Sequence, residues 1–195
     1  SGPERPILVG GTGLYLSAAT EGLAEIPEVP ADVRAEAEAM SPEALRAGLD
    51  AETLAQIDSA NPARLRRAWE VLRATGRGLA RWQAATPPPL LPPERGATFV
   101  IEAPKERLTP RLAARFDAML AGGALDEVRA ALPDLTPRRP GDRAIGAEEL
   151  AAHLRGEITL EAAREAAIVA TRRYAKRQRT WFRARMKGWE RLAMP

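Results

Sequence analysis

The sequence has 195 residues, of which 45% are hydrophobic and 28% charged, and its formal net charge is +3. This length allows one substantial core, or a core with a small subdomain, and the composition is that of an ordinary globular protein. The absence of cysteine excludes disulfides and thiolate metal sites, and one histidine, His153, cannot form a histidine cluster. No apolar run approaches the roughly 20 residues of a membrane span. We therefore expect a cytoplasmic protein.

The chain opens with a short apolar run and a glycine turn. Residues 7–9 (ILV) lead into residues 10–13 (GGTG) and an apolar helix, which predicts a buried strand of a parallel α/β sheet. Only residues 97–103 (ATFVIEA) predict another strand with similar clarity. Because two strands make a poor parallel sheet, we expect an α/β fold that is mostly helical in this chain and truncated at its N-terminus.

The sequence pattern of residues 25–91 predicts a helical domain. This domain is inserted into a core that is formed by residues 1–24 and 92–195. Three of its helix starts combine proline with a capping or acidic residue: Pro30 with Asp32, Ser41 with Pro42, and Asn61 with Pro62. Gly76 is predicted to end the last of these helices. A proline-rich stretch, residues 86–96, leads back to the second strand.

The sequence that follows the second predicted strand is expected to form helices. Thr109 and Pro110 are typical of a helix start, and Gly122 with Gly123 predicts its end. The spacing of four apolar residues predicts the buried face of that helix: Leu112, Phe116, Met119 and Leu120. Thr159 is expected to cap one long helix that runs to Trp189.

This long helix carries an unusual concentration of positive charge. Residues 171–185 (TRRYAKRQRTWFRAR) contain seven basic side chains and no acid. On a helical wheel the aromatic residues gather on the side predicted to face the core. The opposite side is basic: Arg172, Arg173, Lys176, Arg179, Arg183, Lys187 and Arg191. Like charges on one face repel each other, and a polyanion relieves this repulsion. The sequence therefore predicts nucleic acid as the partner; a membrane is less suitable, because the apolar side is needed for the core.

Six stretches, in this order, resemble the tRNA dimethylallyltransferases: PILVGGTGLYL, EGLAEIP, NPARLRRAWEVLRATG, RLAARFDAMLAGGALDEV, RAIGAEELAAHLRGEI and ATRRYAKRQRTWFR. The resemblance implies a P-loop NTPase-like parallel-sheet core and a helical insertion domain, residues 25–91, that grips the anticodon stem of tRNA. It implies transfer of a dimethylallyl group from dimethylallyl diphosphate to the exocyclic amine of the adenosine next to the anticodon, with Mg²⁺. We expect a monomer.

Two parts that the resemblance implies have no match in these 195 residues. One is the phosphate-binding loop, which ends in Gly-Lys-Ser/Thr, and the other is the general-base aspartate just past it. Residues 10–13 do not replace the loop, because they lack its lysine. We therefore expect the Mg²⁺ ligands to lie outside this chain, and we expect the chain alone to be inactive.

The resemblance also implies roles for single residues. Arg115, in ARFDAML, matches a catalytic arginine that neutralises the leaving diphosphate; with no such role it would be an ordinary helix-surface residue. Other positions match residues of the reaction channel or of the tRNA contact: Thr12, Arg34, Arg64, Arg67, Arg143 and Gly146. The RNA-facing part of the basic helix comprises Arg172, Lys176, Arg179 and Arg183. Ala147 stands where the family usually has tyrosine, so a stacking contact there is not expected.

Two alternative functions remain open. A prenyltransferase of free adenine nucleotides needs no insertion domain, and Arg34, Arg64 and Arg67 argue against it. A non-enzymatic module could bind structured RNA through the basic helix alone. A Gly-Lys-Ser/Thr loop encoded upstream of Ser1 would separate the enzyme from the binding module.

Overall fold

The structure is a computed structural model that describes residues 6–136 and 143–194. The chain forms two compact units. One contains the described residues up to Gly13 and those from Thr98 onward, and the other comprises Leu14–Ala97. The division into domains at residues 24 and 91 stays a prediction.

The unit Leu14–Ala97 is helical throughout the residues that form regular structure. Its six α-helices, the first of which begins one residue earlier, are α1 (Gly13–Glu21), α2 (Ala31–Ala39), α3 (Pro42–Ala47), α4 (Ala51–Gln56), α5 (Pro62–Thr75) and α6 (Leu79–Ala84), and a 3₁₀ turn follows at Pro93–Arg95. The helix α5 lies at the centre of this unit and packs on α2, α3 and α6.

Local caps explain why the starts and ends of these helices could be predicted. Ser41 Oγ accepts a hydrogen bond from the Ala44 amide at 3.2 Å, and Asn61 Oδ1 accepts one from the Ala63 amide at 3.1 Å. Each bond satisfies an amide that the first helical turn leaves without a partner. Gly76 ends α5 with a positive φ of 67°, a conformation that favours glycine.

The buried face of α5 holds this unit together. Leu65, Ala68, Trp69 and Val71 are buried on it, and the first two are fully inaccessible to solvent. Their spacing of three or four residues gives a single apolar stripe, against which Val29 and Ala37 pack from the preceding segment. The arginines of α5 consequently lie off this stripe.

The second unit combines helices with a small parallel sheet. Its elements are β1 (Phe99–Glu102), α7 (Lys105–Ala121), α8 (Ala124–Ala131), a 3₁₀ turn at Leu132–Asp134, α9 (Ala147–Leu154), α10 (Leu160–Arg185) and β2 (Glu190–Ala193). The two strands are parallel, with Phe99 opposite Glu190 and Glu102 opposite Ala193. The sequence did not predict β2, because ERLA has no run of β-branched or aromatic residues.

The strand predicted at residues 7–9 is not formed in this structure, so that prediction is wrong here. The segment has no regular structure, and the side chains of Ile7 and Val9 are 85% and 91% exposed. Propensity alone does not hold a strand, since β-structure requires a neighbouring strand to bind its backbone groups.

The helix α7 starts well before the position at Pro110 that Thr109 and Pro110 predict. It begins at Lys105, and the Thr109 hydroxyl donates a hydrogen bond to the Lys105 carbonyl at 2.9 Å instead of capping a helix. Pro110 lies inside the helix, where it removes one amide donor early in the helix rather than at its centre. The predicted end is confirmed, since Gly122 is the C-cap residue and Gly123 follows with a φ of 97°.

The core of this unit lies where α7, α9 and α10 meet. Phe116 of α7 packs with Leu150 of α9 and with Ala163, Ala167 and Ile168 of α10. The small alanines let the helices approach closely around the phenylalanine ring. Leu120 is partly buried against this cluster, whereas Met119 is 40% exposed and does not belong to the predicted buried face.

Candidate functional site

The glycine turn that contains Thr12 packs directly against α10. Gln178 Nε2 donates a hydrogen bond to the Gly11 carbonyl at 2.8 Å. A Cβ atom added to Gly13 would lie 2.2 Å from Trp181 Cε3, far inside van der Waals contact. The turn therefore needs glycine because of the neighbouring ring, and Thr12 between these glycines is exposed.

We expect Gly13→Ala to lower the free energy of unfolding by about 1–3 kcal/mol, the usual cost of forcing extra atoms into a packed contact. The helix propensity of alanine offsets at most about 1 kcal/mol of this cost. Urea unfolding followed by tryptophan fluorescence measures the change. Gly10→Ala is the matched control, since a Cβ there meets nothing within 4 Å. Equal stability of the two variants would contradict the close packing on Trp181.

The candidate catalytic residue, Arg115, lies on α7 beside the buried Phe116. Its side chain is exposed, and it forms no hydrogen bond or ion pair with the part of the chain that the structure describes. Phe116 fixes the helix in the core, so that the position of Arg115 on the helix surface is well defined. A charged group without a partner is available to an external anion.

The segment that contains Arg143 and Gly146 begins α9 and touches α7. Gly146 is buried with a φ of 104°, and a Cβ atom there would lie 2.8 Å from Phe116 Cε2. The Gly146 amide donates a hydrogen bond to Glu149 Oε2 at 3.0 Å, which ties the turn to the first turn of α9. Phe116 thus brings the Gly146 turn against the helix that carries Arg115, while Arg143 is exposed.

A paired arginine and aspartate join α7 to α10. Arg164 donates from Nε to Asp117 Oδ1 at 2.5 Å and from Nη2 to Asp117 Oδ2 at 2.8 Å. Such two-point pairs fix orientation as well as distance. The hydrogen bond from Arg164 lowers the pKa of Asp117 below its ordinary value. This pair adds a polar contact between the two candidate-bearing helices beside the core around Phe116.

Asp117→Asn should reduce the acid sensitivity of the fold. A carboxyl whose pKa is lowered by folding stabilises the folded state above its unfolded pKa of about 4, and this stabilisation is lost as the pH falls through the folded value. We expect the stability of the unaltered chain to fall more steeply below about pH 4 than that of Asp117→Asn. Thermal melting between pH 2 and 7 measures this. Parallel melting curves over that range would contradict the prediction.

The basic face of α10 borders two neighbouring cavities. One, of about 350 Å³, includes Lys176, Arg179, Arg183 and Arg191 in its lining. The other, of about 470 Å³, includes Lys105, Arg172, Arg173, Lys176 and Arg179. Lys176 and Arg179 line both. Arg179 Nη1 also donates to the Ala103 carbonyl at 3.3 Å, which holds its guanidinium at the end of β1.

The cations of this face differ from the other arginines in their partners. Arg73 pairs with Glu36 at 3.4 Å, and Arg81 with Glu52 at 3.3 Å. In contrast, the described residues provide no hydrogen bond or ion pair to the side chains of Arg172, Lys176 and Arg183. These three cations are therefore not neutralised by a carboxylate of the described residues, and their contact with a polyanion stays a prediction.

The three candidate residues of the helical unit are exposed: Arg34, Arg64 and Arg67. Arg34 of α2 lies 3.7 Å from Glu28, and Arg67 of α5 lies 3.9 Å from Glu70. Arg64, one turn before Arg67, is exposed. A pair of this length between exposed groups, as for Arg34 and Glu28, is weak, so Arg34 can turn to a competing phosphate; Glu70 is only 12% exposed.

Sequence reasoning missed Lys105 and Arg66. Lys105 became part of a cavity because α7 starts at that residue, and the Thr109-Pro110 signal concealed this start. The Arg66 Nε is buried with no partner among the described residues. Its position between Leu65 and Arg67 gave no signal, because three arginines in four residues look like one solvated run.

The described ranges do not form a recognisable metal site. They contain no group of three or more histidine, aspartate or glutamate side chains that could hold a metal ion. We therefore assign Mg²⁺ no ligand among the described residues. In the described ranges, every helix is too short or too polar to cross a membrane.

The comparisons with known proteins agree over nearly the whole chain. The profile of the IPP transferase family matches residues 2–185. The chain belongs to this family. A curated relative from Dinoroseobacter shibae, named tRNA dimethylallyltransferase, is 64% identical over an alignment of 192 positions that covers 95% of this chain and 65% of the relative. A relative of the same name from Cereibacter sphaeroides is 62% identical over an alignment of 195 positions that covers 98% of this chain and 62% of the relative.

Two solved structures also match this chain, at lower sequence identity. A full-length tRNA isopentenylpyrophosphate transferase from Bacillus halodurans is 27% identical with a TM-score of 0.55, covering 93% of this chain and 57% of that protein. A tRNA delta(2)-isopentenylpyrophosphate transferase from Staphylococcus epidermidis is 28% identical with a TM-score of 0.50, covering 93% and 61%. The chain thus spans less than two thirds of the length of each of these four proteins.

Proposed function

We propose that this chain is part of a tRNA dimethylallyltransferase and that it supplies the tRNA contact and one catalytic cation. The observation that carries the proposal is the extent of the family match, residues 2–185. It includes both the unpartnered basic face of α10 and the helix of Arg115. The substrates would be tRNA and dimethylallyl diphosphate, in the cytoplasm.

The tRNA contact follows from charge. Phosphate groups of a polyanion bind basic side chains that have no competing carboxylate, and each such contact releases counterions. Arg172, Lys176, Arg179 and Arg183 provide this surface in one unit, and Arg34, Arg64 and Arg67 provide exposed cations in the other. Arg143 and the turn at Gly146 would contact the same substrate, with Thr12 at the reaction channel.

The role of Arg115 follows from the chemistry of the reaction. When the bond between the allyl carbon and the diphosphate breaks, negative charge grows on the departing oxygens. A guanidinium placed beside them lowers the energy of this transition state. Arg115 suits this role because its guanidinium has no partner in the described residues and its helix is fixed by Phe116.

The proposal also includes the type of core fold and the cofactor. A P-loop NTPase-like core would include the parallel pair β1 and β2, and the loops at the carboxyl ends of such strands usually carry the ligand site. Mg²⁺ would neutralise diphosphate charge when bound. No residue described here is assigned to it, and no step of the proposal depends on it. A monomeric state stays part of the proposal.

A graft tests the function directly. The segment of the Dinoroseobacter shibae relative that matches this chain is replaced by residues 2–194, and the resulting protein is incubated with unmodified tRNA, dimethylallyl diphosphate and Mg²⁺. We expect prenylated adenosine next to the anticodon, detected by mass spectrometry of the digested tRNA. A control reaction supplies adenosine monophosphate instead.

Three outcomes separate the candidate functions. Prenylated tRNA supports the proposal. Prenylated adenosine monophosphate with unmodified tRNA would indicate the nucleotide prenyltransferase. A folded graft that binds tRNA without modifying it would indicate the non-enzymatic RNA-binding module and overturn the catalytic part.

A further inference from the structure

We propose that Gln178 is a positioning residue, whose side-chain amide holds the glycine turn of residues 10–13, and with it Thr12, against α10. The inference rests on the proposed function, because the place of Thr12 at the reaction channel belongs to that proposal. Gln178 lies among the basic residues of α10 but is itself uncharged, so attraction of a polyanion does not account for its presence.

One hydrogen bond joins the amide of Gln178 to the turn. Its Nε2 donates to the Gly11 carbonyl at 2.8 Å, and both residues are half-buried. The two residues are 167 positions apart in the sequence, so the bond is a tertiary contact. The Gly11 carbonyl belongs to the planar peptide unit that ends at the Cα atom of Thr12. The bond therefore restricts the direction in which the Thr12 side chain leaves the turn.

The space around the turn shows how closely α10 approaches it. A Cβ atom added to Gly11 would lie 2.3 Å from Gln178 Nε2, and one added to Gly13 would lie 2.2 Å from Trp181 Cε3. A side chain at position 11 would therefore displace the amide of Gln178, and a side chain at position 13 would meet the indole ring. Glycine on each side of Thr12 is what allows both contacts with α10 to form.

The part of α10 that carries Gln178 is itself fixed. Gln178 and Trp181 are three residues apart, so they lie on the same side of the helix. Between them, Arg179 Nη1 donates to the Ala103 carbonyl at 3.3 Å, just after β1. The Trp181 ring meets the Phe182 ring edge to face, with ring centroids 5.8 Å apart. A donor on an anchored helix holds a loop more precisely than a donor on another loop.

The effect on the reaction follows from the exposure of Thr12. Its side chain is exposed, so it can meet a substrate only in the direction that the turn gives it. A group that contacts a reacting molecule has to be held within about 0.5 Å of its productive place, and a displacement of about 1 Å can cost roughly 10²-fold in rate. Without the Gln178 amide the turn keeps its contact with Trp181 but loses the polar contact. We therefore expect the turn to move while the fold persists.

The variant Gln178→Met tests this role, because methionine has nearly the shape of glutamine but no N–H donor. In the grafted enzyme, single-turnover prenyl transfer should slow about 10-fold to 10²-fold, with tRNA affinity and melting temperature nearly unchanged. If Gln178 acts through Thr12, the two losses are not additive, and Gln178→Met should slow a Thr12→Val enzyme by less than about twofold. Gln56→Met is the matched control, since Gln56 of α4 is exposed.

A second measurement follows the turn without any substrate. The chain contains no cysteine, so Thr12→Cys provides one site for a nitroxide label at the turn. Electron paramagnetic resonance of the intact labelled chain measures the mobility of this label. We expect the label to become clearly more mobile when Gln178→Met is added and to stay as it is when Gln56→Met is added.

The outcomes separate this inference from the proposed function. Slower transfer at unchanged tRNA affinity, together with a more mobile label, supports the positioning role. Equal mobility of the label with and without the Gln178 amide overturns it, and so does a loss of transfer that adds fully to that of Thr12→Val. A graft that transfers no prenyl group even with Gln178 present overturns the proposed function, and the label then still decides whether Gln178 holds the turn.

Discussion

Replacing Arg115 by alanine in the grafted enzyme should slow prenyl transfer about 10²–10³-fold, the usual effect of removing one donor that stabilises transition-state charge. Stability and tRNA affinity should change little, because the guanidinium is exposed and has no partner in the described residues. Single-turnover transfer with bound tRNA measures the rate of the chemical step. Thermal melting of the same samples measures stability.

The conservative variant tests whether charge alone is sufficient. Arg115→Lys keeps the positive charge but loses the planar fork, so it should recover only part of the rate. Arg129→Ala on α8 is the control, since Arg129 is an exposed arginine paired with Asp126 three residues earlier. Normal transfer by Arg115→Ala with a clearly lower melting temperature would show that the residue is structural.

Neutralising the basic face should weaken tRNA binding by about 10² or more at low salt. The variant changes Arg172, Lys176, Arg179 and Arg183 to glutamine. Each lost phosphate contact reduces the slope of log affinity against log salt by roughly one, so four contacts predict a reduction of about four. Filter binding at several salt concentrations measures affinity and slope together.

A control with the same loss of charge excludes a general electrostatic effect. It replaces four arginines that pair with nearby carboxylates: Arg73, Arg81, Arg129 and Arg155. We expect these four arginines to make no contact with tRNA phosphates. The slope of log affinity against log salt should therefore stay close to that of the unaltered chain. The basic face would be an ordinary solvated surface if its variant kept both affinity and slope.

Features with a local cause were predicted well from the sequence. Ser41, Asn61 and Thr159 each cap a helix through a side-chain oxygen, and such a bond depends only on residues two or three positions away. The long basic helix was confirmed up to Arg185 for the same reason. Its 26 residues, Leu160–Arg185, follow from one cap and an uninterrupted run of helix-forming residues. Lys187 and Arg191, which were predicted on its basic face, lie beyond its end, and Arg191 belongs to β2.

Features that depend on distant partners were predicted poorly. The strand β2 forms because β1 lies beside it, and residues 7–9 form no strand because none lies beside them. The start of α7 was misplaced because Thr109 and Pro110 match a local rule that the preceding turn overrides. The candidate residues could therefore be predicted singly from the sequence. The contact of Phe116 with Gly146 became visible only in the structure.

The close packing of Gly13 on Trp181 also restricts the order in which this sequence can change. With tryptophan present, a Cβ atom at position 13 would lie 2.2 Å from the indole ring, which is a steric clash, so that substitution lowers the stability. A smaller residue at position 181 would open the space first, and alanine at position 13 could then be accepted. We therefore expect substitutions at the two positions to be correlated, with position 181 changing before position 13.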